Sequence, residues 1–204
     1  MGVVDELERG RASYAARAWM PAYRSLSQAD HGGSLGAEDL ELLATSAYMI
    51  GRHDDYVAVL ERAHRACLEA GEVPRAVRCA FWVGMQLAIA GEMGPASGWL
   101  GRAQRLLKRD GRDCVERGYL LLPLVFRHES SGDLEAAAAV AAAAAEIGER
   151  FGDADLLALA VHRQGHARVR LGGSRRAWGC WTRRWWPSRP ASYRRSSPEL
   201  STAA

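Results

Sequence analysis

A three-position pattern recurs along the chain and constrains the fold more than any other feature of the sequence. Each copy has a glycine, an apolar residue nine positions later, and an alanine three positions after that. The three clear copies are Gly51, Leu60 and Ala63; Gly91, Leu100 and Ala103; and Gly132, Ala141 and Ala144. Gly10, Ala22, Leu26 and Ala29 fit an earlier, more divergent copy that does not keep this spacing from its glycine. The middle positions of the three clear copies are 40 and 41 residues apart. A period of roughly 20–50 residues is typical of arrays of stacked repeats.

The segments between the glycines have helical character. Residues 1–172 are rich in Ala, Leu, Glu and Arg, which are strong helix formers, and show almost no period-two alternation. Gly and Pro divide them into segments of roughly 12–20 residues, the usual length of a globular helix. A small residue precedes each motif glycine, at Ala44, Gly84 and, less regularly, Val125, where two helices could approach closely. We therefore predict an all-α, right-handed superhelical stack of four antiparallel hairpins, followed by a helix near 155–171 that lacks its partner.

The composition changes abruptly after residue 172. Residues 173–204 hold seven of the 27 basic residues and one of the 24 acidic residues, so this segment carries a charge of +6 and residues 1–172 carry −3. The segment has one Leu, no Ile or Val and three Pro, too little apolar surface to offset the entropy lost on folding. We predict a helical-repeat domain over 1–172 and a disordered Arg/Trp/Pro-rich tail over 173–204. The unpartnered last helix would expose an apolar face, through which the chain could self-associate.

The tail also has the features of an off-frame translation. Its tryptophans have the spacing of an amphipathic helix; they are Trp178, Trp181, Trp185 and Trp186. Reading one base earlier converts each TGG codon to NTG, which encodes Leu, Met or Val. A Leu then falls at position 181, which is 40 residues after Ala141 and in register with the repeats. We interpret the tail as the product of a frameshift between Gly172 and Trp178; the alternative is a cationic segment that binds DNA or an anionic surface.

Four stretches resemble known helical hairpins: CAFWVGM at Cys79–Met85, GWLGRAQRLL at Gly98–Leu107, CVERGYLLLP at Cys114–Pro123 and EIGERFGD at Glu146–Asp153. Residues 5–172 resemble tetratricopeptide-type (TPR-like) repeats. They are similar, more narrowly, to the repeat region that precedes the helix-turn-helix of LuxR-family bacterial transcriptional regulators. The resemblance implies a protein-interaction or sensing role in transcriptional regulation. The DNA-reading helix-turn-helix of that family is absent from this sequence, so we expect a truncated relative.

Few residues suggest chemistry, and each has a structural interpretation. His162 and His166 could share a helix face as metal ligands, but a solvated face is the more common arrangement. His53, Asp54 and Asp55 follow Gly51, where acids commonly cap the next helix. Phe81, Trp82 and Trp99 could line a ligand groove or fill the core. Gly91–Gly94 is a turn between helices, and the Ala136–Ala145 run is a closely packed helix.

Several protein classes are excluded by what the sequence lacks. Cys67, Cys79, Cys114 and Cys180 are far apart, without CxxC spacing, so we expect reduced thiols rather than a disulfide framework or zinc knuckle. No apolar run reaches the roughly 20 residues that span a bilayer. Because the acidic residues Asp5, Glu6 and Glu8 lie near the N-terminus with no apolar segment after them, we expect no secretory signal. No catalytic motif is present.

The predicted function is therefore a cytoplasmic, non-catalytic one. We expect no catalytic residues, cofactor or metal, and a protein or peptide partner held in the concave groove of the stack. The partner-binding residues are unknown at this stage. The acidic body predicts no specific nucleic-acid binding, and we expect no membrane association.

Overall fold

The computed structural model describes residues 2–33 and 35–172, and within these ranges the chain is helical with no strand. The all-α prediction is confirmed. The helices are α1 (Val3–Ala15), α2 (Trp19–Gly32), α3 (Ala37–Met49), α4 (His53–Glu69), α5 (Val73–Ile89), α6 (Met93–Asp110), α7 (Glu116–Tyr119), α8 (Leu122–Ser131), α9 (Leu134–Phe151) and α10 (Ala154–Arg170). None of the helices in these ranges is both long and apolar enough to cross a membrane.

The motif glycines terminate helices. Gly51, Gly91 and Gly132 follow α3, α5 and α8 with φ angles of 79°, 85° and 81°. Only glycine adopts this left-handed region without steric cost, and it is the usual residue just past a helix end. Each glycine is followed directly by the second helix of a hairpin. The first position of the repeated pattern is therefore the turn inside the hairpin.

The contacts group the chain into two compact units, Met1–Pro123 and Leu124–Ala204. In the first unit, α1 pairs with α2, α3 with α4, and α5 with α6, while α2 packs on α3 and α4 on α5. Small residues permit the close pairing: a Cβ on Gly84 would lie 2.8 Å from Cγ of Leu100, and one on Gly10 would lie 2.7 Å from Cγ of Leu26. The predicted role of these two glycines as points of close helix approach is confirmed.

In the second unit, which is described up to residue 172, α9 pairs with α10. Val125 of α8 lies in one buried cluster with Ala137, Ala141 and Ala167. Ala144 is also buried, so the Ala-rich stretch of α9 packs closely, as predicted. Helix α10 covers the segment where a last helix was expected. The predicted disorder and reading-frame change of the tail concern residues 173–204, which lie outside the described residues.

The structure differs from the predicted hairpins before Gly132. The stretch before Gly132 is two helices, the four-residue α7 and then α8, rather than one. Pro123 lies in the first turn of α8, a position that tolerates a residue without an N–H group. Helix α8 is consequently shorter than α3 and α5, which occupy the same place in their hairpins.

Candidate functional site

Several arginines connect neighbouring helices by pairing with carboxylates. Arg11 of α1 binds Asp39 of α3 through two hydrogen bonds of 2.7 and 2.9 Å. Arg62 of α4 binds Asp30 of α2 through two of 2.6 Å. Such two-pronged pairs fix geometry as well as supplying energy. These arginines join one hairpin to the next and are unavailable to a ligand.

An open groove lies along α6, and its lining differs from these pairs. We call it the α6 groove; it has a volume of about 420 Å³ and is lined by Pro95, Gly98, Trp99, Arg102 and Arg105. The guanidinium carbon of Arg102 is 5.3 Å from the centre of the Trp99 ring, within the range of a cation–π contact. The groove therefore combines an aromatic surface with two cationic side chains.

The cations of the α6 groove lack carboxylate partners. Within residues 2–33 and 35–172, no hydrogen bond or ion pair joins Arg102 or Arg105 to an acidic side chain. Helix α6 adds Lys108 and Arg109, whereas Asp110 at its end is held by Arg112. Helix α6 is thus basic in a body whose charge is −3. This arrangement is suited to a ligand carrying carboxylates.

The three aromatic residues singled out in the sequence have different roles. Phe81 is buried, with its ring centre 5.0 Å from that of Trp82 and 5.4 Å from that of Tyr119. Trp82 is half-buried and packs against the core of the first unit. Trp99 packs against the same core and also lines the α6 groove. Of the two interpretations in the sequence analysis, core packing applies to Phe81, and the groove interpretation applies to Trp99.

A fully buried histidine lies against Trp99. The rings of His64 and Trp99 meet edge to face with centres 5.2 Å apart. Nδ1 of His64 is 2.8 Å from the carbonyl oxygen of Ala76, and because a carbonyl only accepts, Nδ1 carries the hydrogen. Nε2 has no partner in the part of the chain that the structure describes. Burial lowers the pKa of His64, so the ring is neutral at pH 7.

A second cluster brings together two thiols and a carboxylate from three helices. Sγ of Cys67 in α4 and Sγ of Cys79 in α5 each lie 3.8 Å from Oε1 of Glu41 in α3. Nε of Arg75 lies 3.2 Å from the same oxygen. Both thiols are buried and free. We call Glu41, Cys67 and Cys79 the thiol–carboxylate cluster.

The two thiols of this cluster affect each other. The hydrogen bond to Cys67, together with burial, raises the pKa of the Cys79 thiol. The same hydrogen bond lowers the pKa of the Cys67 thiol. Cys67 is therefore the thiol that ionises first.

The spacing of the cysteines along the sequence did not indicate that any two of them meet, and the structure brings Cys67 and Cys79 together as free thiols. Positions 67 and 79 are equidistant from Val73, which begins α5, so the turn between α4 and α5 folds them onto each other. The equal spacing of Cys67 and Cys79 from the predicted turn could have indicated that they meet. Nothing in the local sequence indicates that Glu41 joins them, because its position depends on how α3 packs.

The other sequence candidates do not converge. His162 is exposed, and His166 is paired through Nδ1 with Oε1 of Glu129 at 3.0 Å, a partner that the sequence did not indicate. Within the described residues, the thiol–carboxylate cluster is the one group of three potential metal ligands close enough to share an ion, so the histidine pair does not form such a group.

The acids after Gly51 also behave differently from the prediction. Arg52 is the N-cap residue of α4 and makes no side-chain cap; Asp54 and Asp55 lie in the first helical turn instead. At that position their negative charges interact favourably with the positive end of the helix dipole. Asp55 accepts a hydrogen bond of 2.6 Å from the hydroxyl of Tyr23 and another from Arg52. Asp55 therefore links α4 to α2 rather than capping α4.

Comparison with known proteins identifies the fold. No protein-family model matches the sequence, and no curated protein matches it. Solved structures do match. The Rap conjugation gene regulator of plasmid pLS20 in complex with the Phr* peptide is 18% identical with a TM-score of 0.67, and the match covers 86% of this chain and 50% of that one. The APC/C hetero-tetramer Cut9–Hcn1 is 18% identical with a TM-score of 0.66, and the match covers 89% of this chain and 32% of that one. MamA also matches (16%, 0.54, 88% of both chains).

These similarities establish the fold class alone, because all three identities are below one fifth. The chain spans about half the length of the Rap structures it matches. The predicted TPR-like solenoid class is confirmed, since the matched structures cover most of this chain with the same helical arrangement. We conclude that this chain has an all-α, TPR-like helical-repeat fold.

Proposed function

We propose that this chain is a non-catalytic, peptide- or protein-binding repeat domain, and that the α6 groove holds an acidic segment of the partner. The observation that carries the proposal is the pair Arg102 and Arg105 beside the groove-facing side of Trp99, for which the described residues supply no carboxylate partner. A partner carboxylate would pair with either guanidinium, and an apolar side chain would pack on the indole. Because complementary charge mainly sets orientation and association rate, binding should weaken as salt increases.

The similarity to a peptide-bound regulator supports a peptide partner. The matched Rap structure contains the Phr* peptide, and another contains the competence and sporulation factor. Helical hairpins that stack leave extended surfaces, which TPR-like proteins use to hold peptide segments. We place the contact on α6 because no described acidic residue pairs with Arg102 or Arg105, whereas Arg11, Arg62 and Arg75 already bind carboxylates.

The test is selection of peptides on the full chain followed by affinity measurement. A displayed random-peptide library should yield sequences enriched in Asp and Glu with a neighbouring apolar residue. Binding of a selected, dye-labelled peptide, followed by fluorescence anisotropy, should weaken about tenfold in the double variant Arg102→Glu/Arg105→Glu, equivalent to about 1.4 kcal/mol. The matched control is Arg65→Glu, an exposed arginine on α4. Selected peptides without acidic enrichment, or equal binding by both variants, would refute the assignment.

The regulatory context is a further part of this proposal. The sequence resemblance supports a sensing or interaction domain of a LuxR-type regulator, working in the cytoplasm, with self-association through α10 as an additional contact. Val169 and Leu171 at the end of α10 are exposed apolar residues available for it. Nucleotide sequencing tests the truncation: codons 178–204, read one base earlier, should continue the repeat register and lead into a helix-turn-helix. Stop codons in that frame would eliminate the frameshift interpretation.

A further inference from the structure

The thiol–carboxylate cluster has the donor types of a metal site. Glu41, Cys67 and Cys79 come from three consecutive helices, and their ligand atoms all lie within 4.8 Å of one another. Thiolate sulfur and carboxylate oxygen are both established ligands of Zn²⁺ in proteins, and thiolates select soft and borderline cations over Mg²⁺ or Ca²⁺.

The spacing of the donors agrees with a shared ion. Zinc–sulfur bonds are about 2.3 Å and zinc–carboxylate bonds about 2.1 Å, so in a tetrahedron the sulfur and oxygen are about 3.6 Å apart. Both thiol sulfurs lie 3.8 Å from Oε1 of Glu41. All three donor atoms lie within 4.8 Å of one another, so a small displacement would bring them to bonding geometry around one ion. In the metal-free chain both thiols donate hydrogen bonds to Oε1 of Glu41, and a bound ion would replace these two protons.

The charges of the cluster favour a cation. Two thiolates and one carboxylate would carry three negative charges, and the guanidinium of Arg75 contacts both oxygens of Glu41 at 3.2 Å. Arg75 also pairs with Glu72, whose Oε2 lies 2.5 Å from Nη1, so the guanidinium is shared between two carboxylates. A divalent ion would offset most of the negative charge, which matters because an unbalanced charge beside buried sulfurs is costly. The side chain of Glu41 is 37% exposed, so water can reach the fourth position of the tetrahedron.

We propose that Glu41, Cys67 and Cys79 form a binding site for a thiophilic divalent cation of the zinc type, with water as the fourth ligand. Arg75 acts as a positioning residue that orients the carboxylate toward the sulfurs. The ion would join α3 and α4 to α5, and so tie one hairpin to the first helix of the next. Metal binding by such a site stabilises the folded chain, because the ligands are not assembled in the unfolded state.

Cobalt substitution provides the test, since thiolate-bound Co²⁺ absorbs through a charge-transfer band. The reduced, metal-free full chain carrying Cys180→Ser is titrated with Co²⁺. We expect one Co²⁺ per chain with this band, its displacement by Zn²⁺, and a higher melting temperature. Cys67→Ser and Cys79→Ser should each abolish the band. Glu41→Gln removes a ligand and should weaken binding by at least the roughly 10–100-fold seen when residues that merely support a metal site are changed. Cys114→Ser is the matched control.

The parent chain alone can overturn the proposal, so the test does not depend on the folding of the cysteine variants. Absence of the charge-transfer band at equimolar Co²⁺ would do so. A band that persists in both Cys67→Ser and Cys79→Ser, with circular dichroism showing folded protein, would also do so. A third contrary result is a chain that binds no metal but forms a Cys67–Cys79 disulfide with oxidised glutathione, which would make the cluster a redox pair.

Discussion

Gly148 in α9 is the position where an added methyl group should be most damaging. A Cβ there would lie 2.9 Å from the backbone nitrogen of Leu157, 3.2 Å from its Cα and 3.3 Å from its Cβ. Because two of these atoms are backbone, relief requires α10 to move away from α9 by about half an ångström. Overpacking of this kind costs about 1–3 kcal/mol, and the backbone contact places Gly148→Ala at the upper end.

The helix propensity of alanine offsets part of this cost. Replacing glycine by alanine in a helix gains about 1 kcal/mol, so the net loss for Gly148→Ala is about 2 kcal/mol. For a chain of this length we expect the melting temperature to fall by roughly 4–8 °C. The measurement is urea unfolding followed by circular dichroism, with melting curves as a second readout.

Gly98→Ala in α6 is the matched control. A Cβ at Gly98 meets no atom of the described residues within 4 Å, so this variant should show only the gain from helix propensity, about 1 kcal/mol. The two substitutions are chemically identical and should have opposite signs. If Gly148→Ala is as stable as the wild type, or gains stability as Gly98→Ala does, the close packing of α9 on α10 is wrong.

Two further predictions concern pH. His64 has a lowered pKa, so the unfolded state binds the proton more readily, and stability should fall as pH drops below about 6.5, by at most about 1.4 kcal/mol per pH unit. We expect the free energy of unfolding in urea to change less between pH 7 and pH 5 in His64→Gln than in the wild type or in His162→Gln. The same pH dependence in all three proteins would contradict this prediction. The hydrogen bonds from Arg62 lower the pKa of Asp30 in the folded chain. The stabilisation that this ion pair gives the folded state is therefore present above about pH 3.9, the pKa of Asp in the unfolded chain, and is lost as the pH falls through the lower pKa of the folded state. Asp30→Asn should cost roughly 1 kcal/mol at pH 7, since Arg62 is partly exposed, with little difference from the wild type at pH 2; an equal cost at both pH values would show that the ion pair is not responsible.

The repeat pattern was readable because it depends on local geometry. Gly51, Gly91 and Gly132 mark turns that need a left-handed backbone, and no other residue adopts it as easily. Ala63 and Ala103 are fully buried because the paired helices approach closely there. These requirements repeat with each hairpin, so the sequence repeats them too.

The departures from prediction arose where packing overrode the local signal. The helix before Gly132 was expected to be continuous, but α7 and α8 are separate, with Pro123 in the first turn of α8. Asp55 was expected to act as a cap, yet its carboxylate is used by Tyr23 of another hairpin. A partner 32 residues away leaves no trace in the local spacing.

The sequence by itself determines the repeated helices, the glycine turns between them and the small residues at their contacts. These features depend on backbone angles, helix period and side-chain size, which are properties of residues close together in the sequence. The thiol–carboxylate cluster and the α6 groove do not follow from such local properties. Glu41 meets Cys79 because α3 and α5 both pack near α4. Arg102 lines the α6 groove because, among the residues that the structure describes, no acidic side chain of another helix pairs with it. Chemistry that is assembled between helices depends on their three-dimensional packing, and in this protein that packing creates both candidate sites.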